Sequence, residues 1–402
     1  MSSGGCSDQP ISSSVLAEGF GMLRTVTSDF KAAGHEVTVL LDNRISRLSP
    51  PLKSDCAVPI FRLQEVKNFL SNIADTTDAV LIVAPETGQI LHSLVNVVEK
   101  SGKVSLNCQS RAISRVANKA ILYQVLDKNH LPIPKTLDLS VNDDLTEVKK
   151  AIRTKLSYPI ILKPANGVSC SGLSIVKEES RLKQAIEKID VESVEEHFVV
   201  QEFIEGEAVS VSLLCANGKA LSISLNQQSI KVGAPEDASC YLGGLVPFDH
   251  PFMQKAFAIS EKVVGSFKGL RGYVGVDLVL AKDAVFVVDV NPRLTTSYVG
   301  LSQVANFNVA EATVNAIMKD EFPVKPRATG YVFFSKFEIP KPTINVFQEI
   351  AQIDEVISPP FPLDDNKEAC GLIAGKGKSS QDAMTHLEEA KKQVLNIISR
   401  GK

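Results

Sequence analysis

A chain of 402 residues is too long for a single hydrophobic core and long enough for two to four packed units. With 44% hydrophobic and 22% charged residues and a formal net charge of -3, it has neither the basic excess of a nucleic-acid binder nor an acidic tail. Seven cysteines without a Cys-x-x-Cys pair read as reduced thiols, "MSSGGCSDQPISSS" lacks the parts of a signal peptide, and no apolar run spans a bilayer, so a cytoplasmic protein with no membrane or nucleic-acid partner is expected.

In chain order, "VLAEGFGMLRTVTSDFKAAG" has apolar residues at helical spacing and a stop at Gly34. "EVTVLLD" and "AVLIVAPE" read as strands, "ILHSLVNVVEKSG" as a returning helix and "KVSLN" as a further strand. This alternation predicts a parallel sheet over roughly residues 15–110, with Asp42, Arg44, Glu86 and Thr87 at the strand ends where ligands bind. Such a sheet normally opens with a strand; here a Ser/Gly-rich segment leads straight into a helix.

One continuous helix, "SRAISRVANKAILYQVLDKN", is predicted next, followed by the extended turn "LPIPKT". "YPIILKP", "ANGVSCSG" and "LSIVK" then form a hairpin whose small-residue tip is built to move. The helix "SRLKQAIEKI" and the strand "FVVQEFIEGE" close this unit. A second hairpin turns at Asn217-Gly218, and the helix "QKAFAISEKVVGSF" leads to two strands, "RGYVGVDLVLAK" and "AVFVVDVNPR", joined near Asp283. The remainder, with "GYVFFSKFEI", the loop "SPPFPLDD" and a final helix, is expected to pack over the rest as a small extension.

The chemistry concentrates in those last two strands. Asp277 and Asp289 sit in runs that should be buried, where a carboxylate needs compensation. Asn291 points to the same side as Asp289 because strand side chains alternate. Paired across the turn, the three make an all-oxygen cluster suited to Mg2+; the alternative is carboxylates paired with Lys or Arg. Lys163 precedes the glycine loop and can place an ammonium over phosphates, although the order is not that of a Walker loop and a plain hairpin is the alternative. "VVQEFIEGE" offers backbone groups for a base edge and Glu207 for ribose hydroxyls. A nucleotide between a mobile hairpin and an acidic sheet accounts for all three.

Lys119, "PIILKPANGVSCSG", "VVQEFIEGE", "GYVGVDLVL" and "VVDVNPR", in this order over roughly residues 15–320, resemble the ATP-grasp superfamily of carboxylate-amine ligases. The resemblance implies an α/β and α+β protein: an ATP-grasp fold with an N-terminal parallel-sheet pre-ATP-grasp domain (1–110), a small subdomain (111–200), a large subdomain with the metal site (201–325) and a small C-terminal α+β extension (326–402). It implies ATP and two Mg2+ as cofactors, with Mn2+ as a substitute. Lys119 and Lys163 would contact the phosphates, and the loop with Gly167, Ser169 and Gly172 would close over them. Gln201 would meet the adenine amino group by its side chain, Glu202 and Ile204 would offer backbone groups, and Glu207 would hold the ribose. Asp277, Asp289 and Asn291 would carry the metals, Asp289 standing where most relatives have Glu. Arg293 would steady the transferred phosphate and, with Lys163, is the catalytic expectation. The implied reaction passes through an acyl-phosphate that an amine attacks, releasing ADP and phosphate.

A narrower resemblance, in "SSVLAEGFGML", "DFKAAGHEVTVLLDNR", "VAPETGQIL", "SLNQQ", "YLGGLVPFDH" and "NPRLTTSYVGL", is to the tyramine-glutamate ligases of methanofuran synthesis. It implies that the γ-carboxylate of glutamate is joined to tyramine. Arg293, Thr295 and Thr296 would lie at the acceptor end, and Glu86, Tyr241, His250 and Tyr298 are candidate substrate contacts, with core or turn packing the alternative for the aromatic residues. Ligation of other amino acids or diamines, carboxylation of a nucleotide precursor, and a non-catalytic ATP-binding regulator stay open. The partners expected are small-molecule carboxylate and amine substrates. Homodimers are common in the superfamily, but no apolar stripe marks one here.

Overall fold

A computed structural model describes residues 11–72, 77–167, 170–193, 196–363 and 367–400. Their strands form four sheets. Near the N-terminus β1 (Thr38–Asp42) pairs in parallel with β2 (Cys56–Ile60), and β3 (Ala79–Val80) pairs in parallel with β4 (Val104–Ser105). The direction is the expected one, but the single sheet is replaced by two short ribbons. "AVLIVAPE" yields so little ladder because Ile82 is held by a side chain instead of a strand: its N-H donates to Asn107 Oδ1 at 2.8 Å and its carbonyl accepts from Asn107 Nδ2 at 2.8 Å.

The helix predicted across Asn118 is two helices, Ser110–Ala117 and Lys119–Lys128. Asn118 leaves the helical region (φ -81°, ψ 106°), and its side chain accepts from Ile121 N at 3.0 Å, capping the second helix. Lys119 is therefore a first-turn residue, and its own N-H donates to Ala165 O at 2.9 Å, tying the helix to the end of the next sheet.

That sheet contains β5 (Thr136–Ser140), β6 (Ile160–Pro164), β7 (Ser174–Val176) and β8 (His197–Glu202) in the order β5-β8-β6-β7, all antiparallel. The helices Leu145–Lys155 and Leu182–Glu192 supply Val148, Ile152, Leu182, Ala185 and Ile189 to its core. The run read as one strand, "FVVQEFIEGE", breaks after Glu202, and the chain crosses to the next sheet at Gly206. A Cβ there would stand 2.3 Å from the Leu280 carbonyl oxygen, so only glycine allows the approach.

The largest sheet is built from β9 (Glu207–Ala216), β10 (Lys219–Lys231), β11 (Cys240–Val246), β12 (Gly272–Leu280), β13 (Val285–Asn291), β14 (Tyr331–Pro340), β15 (Val356–Ser358) and β16 (Glu368–Gly377). Its order is β13-β12-β9-β10-β11-β14-β16-β15. β9 and β10 join at Asn217 and Gly218, whose φ values of 48° and 78° suit the tight hairpin that Asn-Gly favours. The C-terminal segment does not pack over this sheet as expected. It prolongs it, β14 pairing with β11 and then with β16. Helix Ser13–Ala32 closes one side, where Arg24 Nη1 donates to Val356 O at 2.7 Å. No helix among the described residues is long and apolar enough to cross a membrane.

Candidate active site

β12 and β13 form the floor. Their register sets Asp277 opposite Asp289 and Gly275 opposite Asn291. Asn291 Nδ2 donates to Asp277 Oδ2 at 2.9 Å, and Gln228 Nε2, from β10, donates to Asp277 Oδ1 at 3.1 Å. Asp289 Oδ2 accepts from Lys119 Nζ at 2.8 Å. From the small sheet, Lys163 Nζ reaches across to donate to Tyr123 OH at 2.6 Å and to Val288 O at 2.9 Å. Two ammonium groups and two carboxylates thus meet from four separate elements.

Charge is compensated unevenly. Burial, reinforced by the Asp289 carboxylate, pushes Asp277 up to about 7. Burial would also raise Asp289, but the Lys119 and Lys163 ammoniums outweigh it and hold this carboxyl below its usual range. Burial draws Lys163 down to about 7. The reason for the difference is that Asp277 is bonded only by neutral amides, whereas Asp289 has a cation in contact. Among the described residues no group of three His, Cys, Asp or Glu could hold a metal ion. The floor offers two carboxylates and the Asn291 amide oxygen, too few to bind a metal alone but a fit for Mg2+, which takes one or two carboxylates and completes its shell with phosphate oxygens and water.

Beyond β13, Arg293 Nε donates to Glu86 Oε2 at 2.8 Å, joining the floor to the N-terminal unit. Thr295 Oγ1 lies 3.2 Å from Tyr273 OH and 2.8 Å from Ser297 Oγ, and Thr296 Oγ1 donates to Glu18 Oε2 at 2.6 Å. This loop can fold back on the sheet because Gly275 has no side chain: a Cβ would stand 2.5 Å from Thr295 Cγ2.

A family model described as an ATP-grasp domain matches residues 116–297, and one described as a pre ATP-grasp 3 domain matches residues 35–113. The chain carries an ATP-grasp domain behind a pre ATP-grasp domain. Proteins of this family use ATP and Mg2+. A curated relative, the tyramine-L-glutamate ligase of Methanocaldococcus jannaschii, is 29% identical over 79% of this chain and 88% of its own length. Among solved structures, an ATP-grasp superfamily protein from Archaeoglobus fulgidus matches with a TM-score of 0.60 and 24% identity, covering 91% of this chain and 95% of that one. The L-amino acid ligase from Bacillus licheniformis matches with a TM-score of 0.66 and 17% identity, covering 92% and 95%. At these identities the two structures bear on the fold alone, and both agree with the one described.

Other residues singled out in this ATP-grasp ligase have different surroundings. Gln201 is turned inward: Nε2 donates to Thr136 Oγ1 at 2.7 Å and Oε1 accepts from Tyr123 OH at 3.3 Å, so both ends of its amide have protein partners and the side chain is not free for a base. Glu202 Oε1 accepts from Lys135 N at 2.9 Å, Ile204 is half-buried in the crossing segment, and Glu207 is exposed at the start of β9. Gly167 and Gly172 flank the glycine loop, with Gly172 N donating to Glu192 Oε2 at 2.7 Å; Ser169 lies outside the described residues. Tyr298 is no surface contact. It is fully buried and its hydroxyl donates to Asp29 Oδ2 at 2.6 Å. His250 is a turn residue, Nδ1 accepting from Phe252 N at 3.0 Å before the helix Met253–Gly265. Tyr241 lies beside the site, with Lys336 Nζ 5.8 Å from its ring centre. Reading the sequence missed Tyr123, Gln228, Glu18 and Lys336 as site residues. Gln228 closes the quoted "SLNQQ", and alternation along β10 was the available signal.

Proposed function

We propose that this ATP-grasp ligase joins the γ-carboxylate of L-glutamate to a primary amine, tyramine, with ATP converted to ADP and phosphate. The observation that carries the reading is the 2.8 Å contact between Lys119 and Asp289, an ammonium and a carboxylate oxygen side by side at one floor, as a phosphate-binding cation next to a metal ligand would stand. The relative from M. jannaschii supports the substrate pair. In this reading Lys119 and Lys163 hold the phosphates, backbone groups of Glu202 and Ile204 meet the adenine, and Glu207 meets the ribose. Gln201, with its amide engaged by Thr136 and Tyr123, positions the wall behind the base. Asp277, Asp289 and Asn291 hold two Mg2+, replaceable by Mn2+, which when bound neutralise the phosphate charge.

The chain's own groups then position and compensate charge. A γ-carboxylate oxygen attacks the γ-phosphorus as its bond to the ADP oxygen breaks, and Arg293 steadies the phosphoryl group in transit. The amine nitrogen next attacks the acyl carbon, phosphate leaves, and the nitrogen gives up a proton. The division at residues 110, 200 and 325, and a cytoplasmic location, belong to the same reading.

The test is ADP release from ATP and Mg2+ with L-glutamate, with and without tyramine, and the product mass from the same tube. Turnover that needs both, with a product heavier than tyramine by one glutamyl unit, supports the reading. Release with other amines or amino acids but not this pair discards the substrates and keeps the ligase. Silence across the panel despite ATP binding favours a regulator.

A further inference from the structure

A second polar cluster adjoins the floor, assembled from four stretches of the chain. The loop after β13 holds two carboxylates, Glu86 through Arg293 at 2.8 Å and Glu18 through Thr296 at 2.6 Å. Glu18 is also ion-paired with Lys336 of β14, whose ammonium donates to Ser14 Oγ at 2.7 Å. The side chains of Arg293, Glu86, Lys336 and Glu18 are only 15, 6, 8 and 13% exposed. The two pairs form one group, because Arg293 lies within electrostatic reach of Glu18 and Asp277 as well as Glu86. Tyr241 and Cys170 of the glycine loop both lie within reach of Glu18 and Asp277.

Two binding positions are left over. Glu86 Oε1 is buried without a hydrogen-bond partner, and a buried acceptor left unmade is costly. The Lys336 ammonium has three donors; it donates to Ser14 Oγ and is ion-paired with Glu18 Oε1, which like Glu86 Oε1 is buried without a hydrogen bond, so its donors are not all used. Buried ion pairs are weak contributors to stability, so an unfilled one calls for another reason to be kept. Two cations and two anions have no net charge, which suits a zwitterion better than a lone anion or cation. Glu18 and Lys336 also lie outside the two matched domain regions, so the nucleotide site does not account for them.

We propose that this cluster recognises the α-amino acid end of the acceptor, Glu86 Oε1 receiving the α-ammonium and Lys336, held by Glu18, receiving the α-carboxylate. The side-chain carboxylate of the acceptor then extends toward Arg293 and the floor. The inference rests on the ligase reading and deepens it by assigning the substrate class to residues from both ends of the chain.

The experiment is calorimetric binding to the full-length protein with Mg2+ and a non-hydrolysable ATP analogue, so that it does not depend on turnover. L-Glutamate is compared with glutarate, which lacks the ammonium, and 4-aminobutyrate, which lacks the α-carboxylate. Both analogues are expected to bind on the order of tenfold more weakly or worse, because each leaves a buried partner unmade. Glu86→Gln should close the gap for glutarate only. The double variant Lys336→Met with Glu18→Gln, which leaves no buried charge unpaired, should close it for 4-aminobutyrate only. Equal binding of either analogue to the wild type, or unchanged discrimination in both variants, overturns the proposal, as does failure of every amino acid in a panel to bind. Binding of an α-amino acid other than glutamate overturns the glutamate assignment alone, and the deaminated and decarboxylated analogues of that acid then take over the comparison.

Discussion

The two sheets that face each other across the site are held by different means. The four-stranded sheet is closed by apolar side chains, with Leu137, Ile152, Ile160, Leu162 and Phe198 at its centre. The eight-stranded sheet buries a polar net beside its floor: Ser224 Oγ donates to Asn226 Oδ1 at 2.7 Å, Asn226 Nδ2 to Ser212 Oγ at 2.9 Å, and Ser212 Oγ lies 2.7 Å from Tyr273 OH. Apolar packing fixes a shape, and many side chains of the right volume satisfy it. A net of directional bonds fixes orientation, and each missing member leaves a partner unsatisfied. Fine positional control therefore resides under Asp277 and Asn291, whereas the small sheet delivers Lys163 from a conventional apolar core.

The comparison can be broken most directly at the floor. Asp277→Ala and Asn291→Ala are each expected to lower kcat/KM by about 10³-fold or more while the melting temperature stays within about 3 °C; Mg2+-dependent turnover within tenfold of the wild type would remove them from the metal site. Ile152→Ala, in the helix that packs on the apolar sheet, should cost about 3 kcal/mol by chemical denaturation and leave kcat/KM at 20 °C within twofold. A large kinetic loss there would mean that the small sheet also controls orientation. Asn226→Ala should cost about 2 kcal/mol and also lower kcat several-fold, because the polar net touches the loop at Thr295 through Tyr273. An effect on stability alone would reduce the net to packing. Tyr298→Phe should cost about 1 kcal/mol, with both substrate KM values unchanged; a raised KM would return that residue to the substrate surface.

The floor was legible in the sequence because period-two alternation and a short turn suffice to bring Asp277, Asp289 and Asn291 together, and Lys163 stands at the end of a plain apolar strand. The break at Asn118 was hidden, since "VANKAIL" keeps helical spacing on both sides and only an Asn cap marks it. The pairing of Glu18 with Lys336 has no local signature at all. It follows from β14 joining β11 and from helix Ser13–Ala32 lying against β15 and β16, contacts between distant segments that alternation cannot encode. Tyr298 stayed open between substrate contact and core packing for a related reason: its burial partner, Asp29, lies far away in the sequence, and the structure decides for the core.

The path of the chain through the largest sheet also has a temporal side. During synthesis every residue of the proposed nucleotide floor has been made once the loop through Ser297 is complete, yet β11 then still presents an unpaired edge, and the first helix still lacks β15 and β16, against which it lies in the finished fold. Only when β14 to β16 have emerged is that edge closed and Lys336 brought to Glu18. A ribosome-bound chain stopped between residues 300 and 330 would therefore carry the parts of the proposed ATP site without the last wall of the proposed acceptor end, and its open edge would be the place where a chaperone or a misfolded neighbour pairs first.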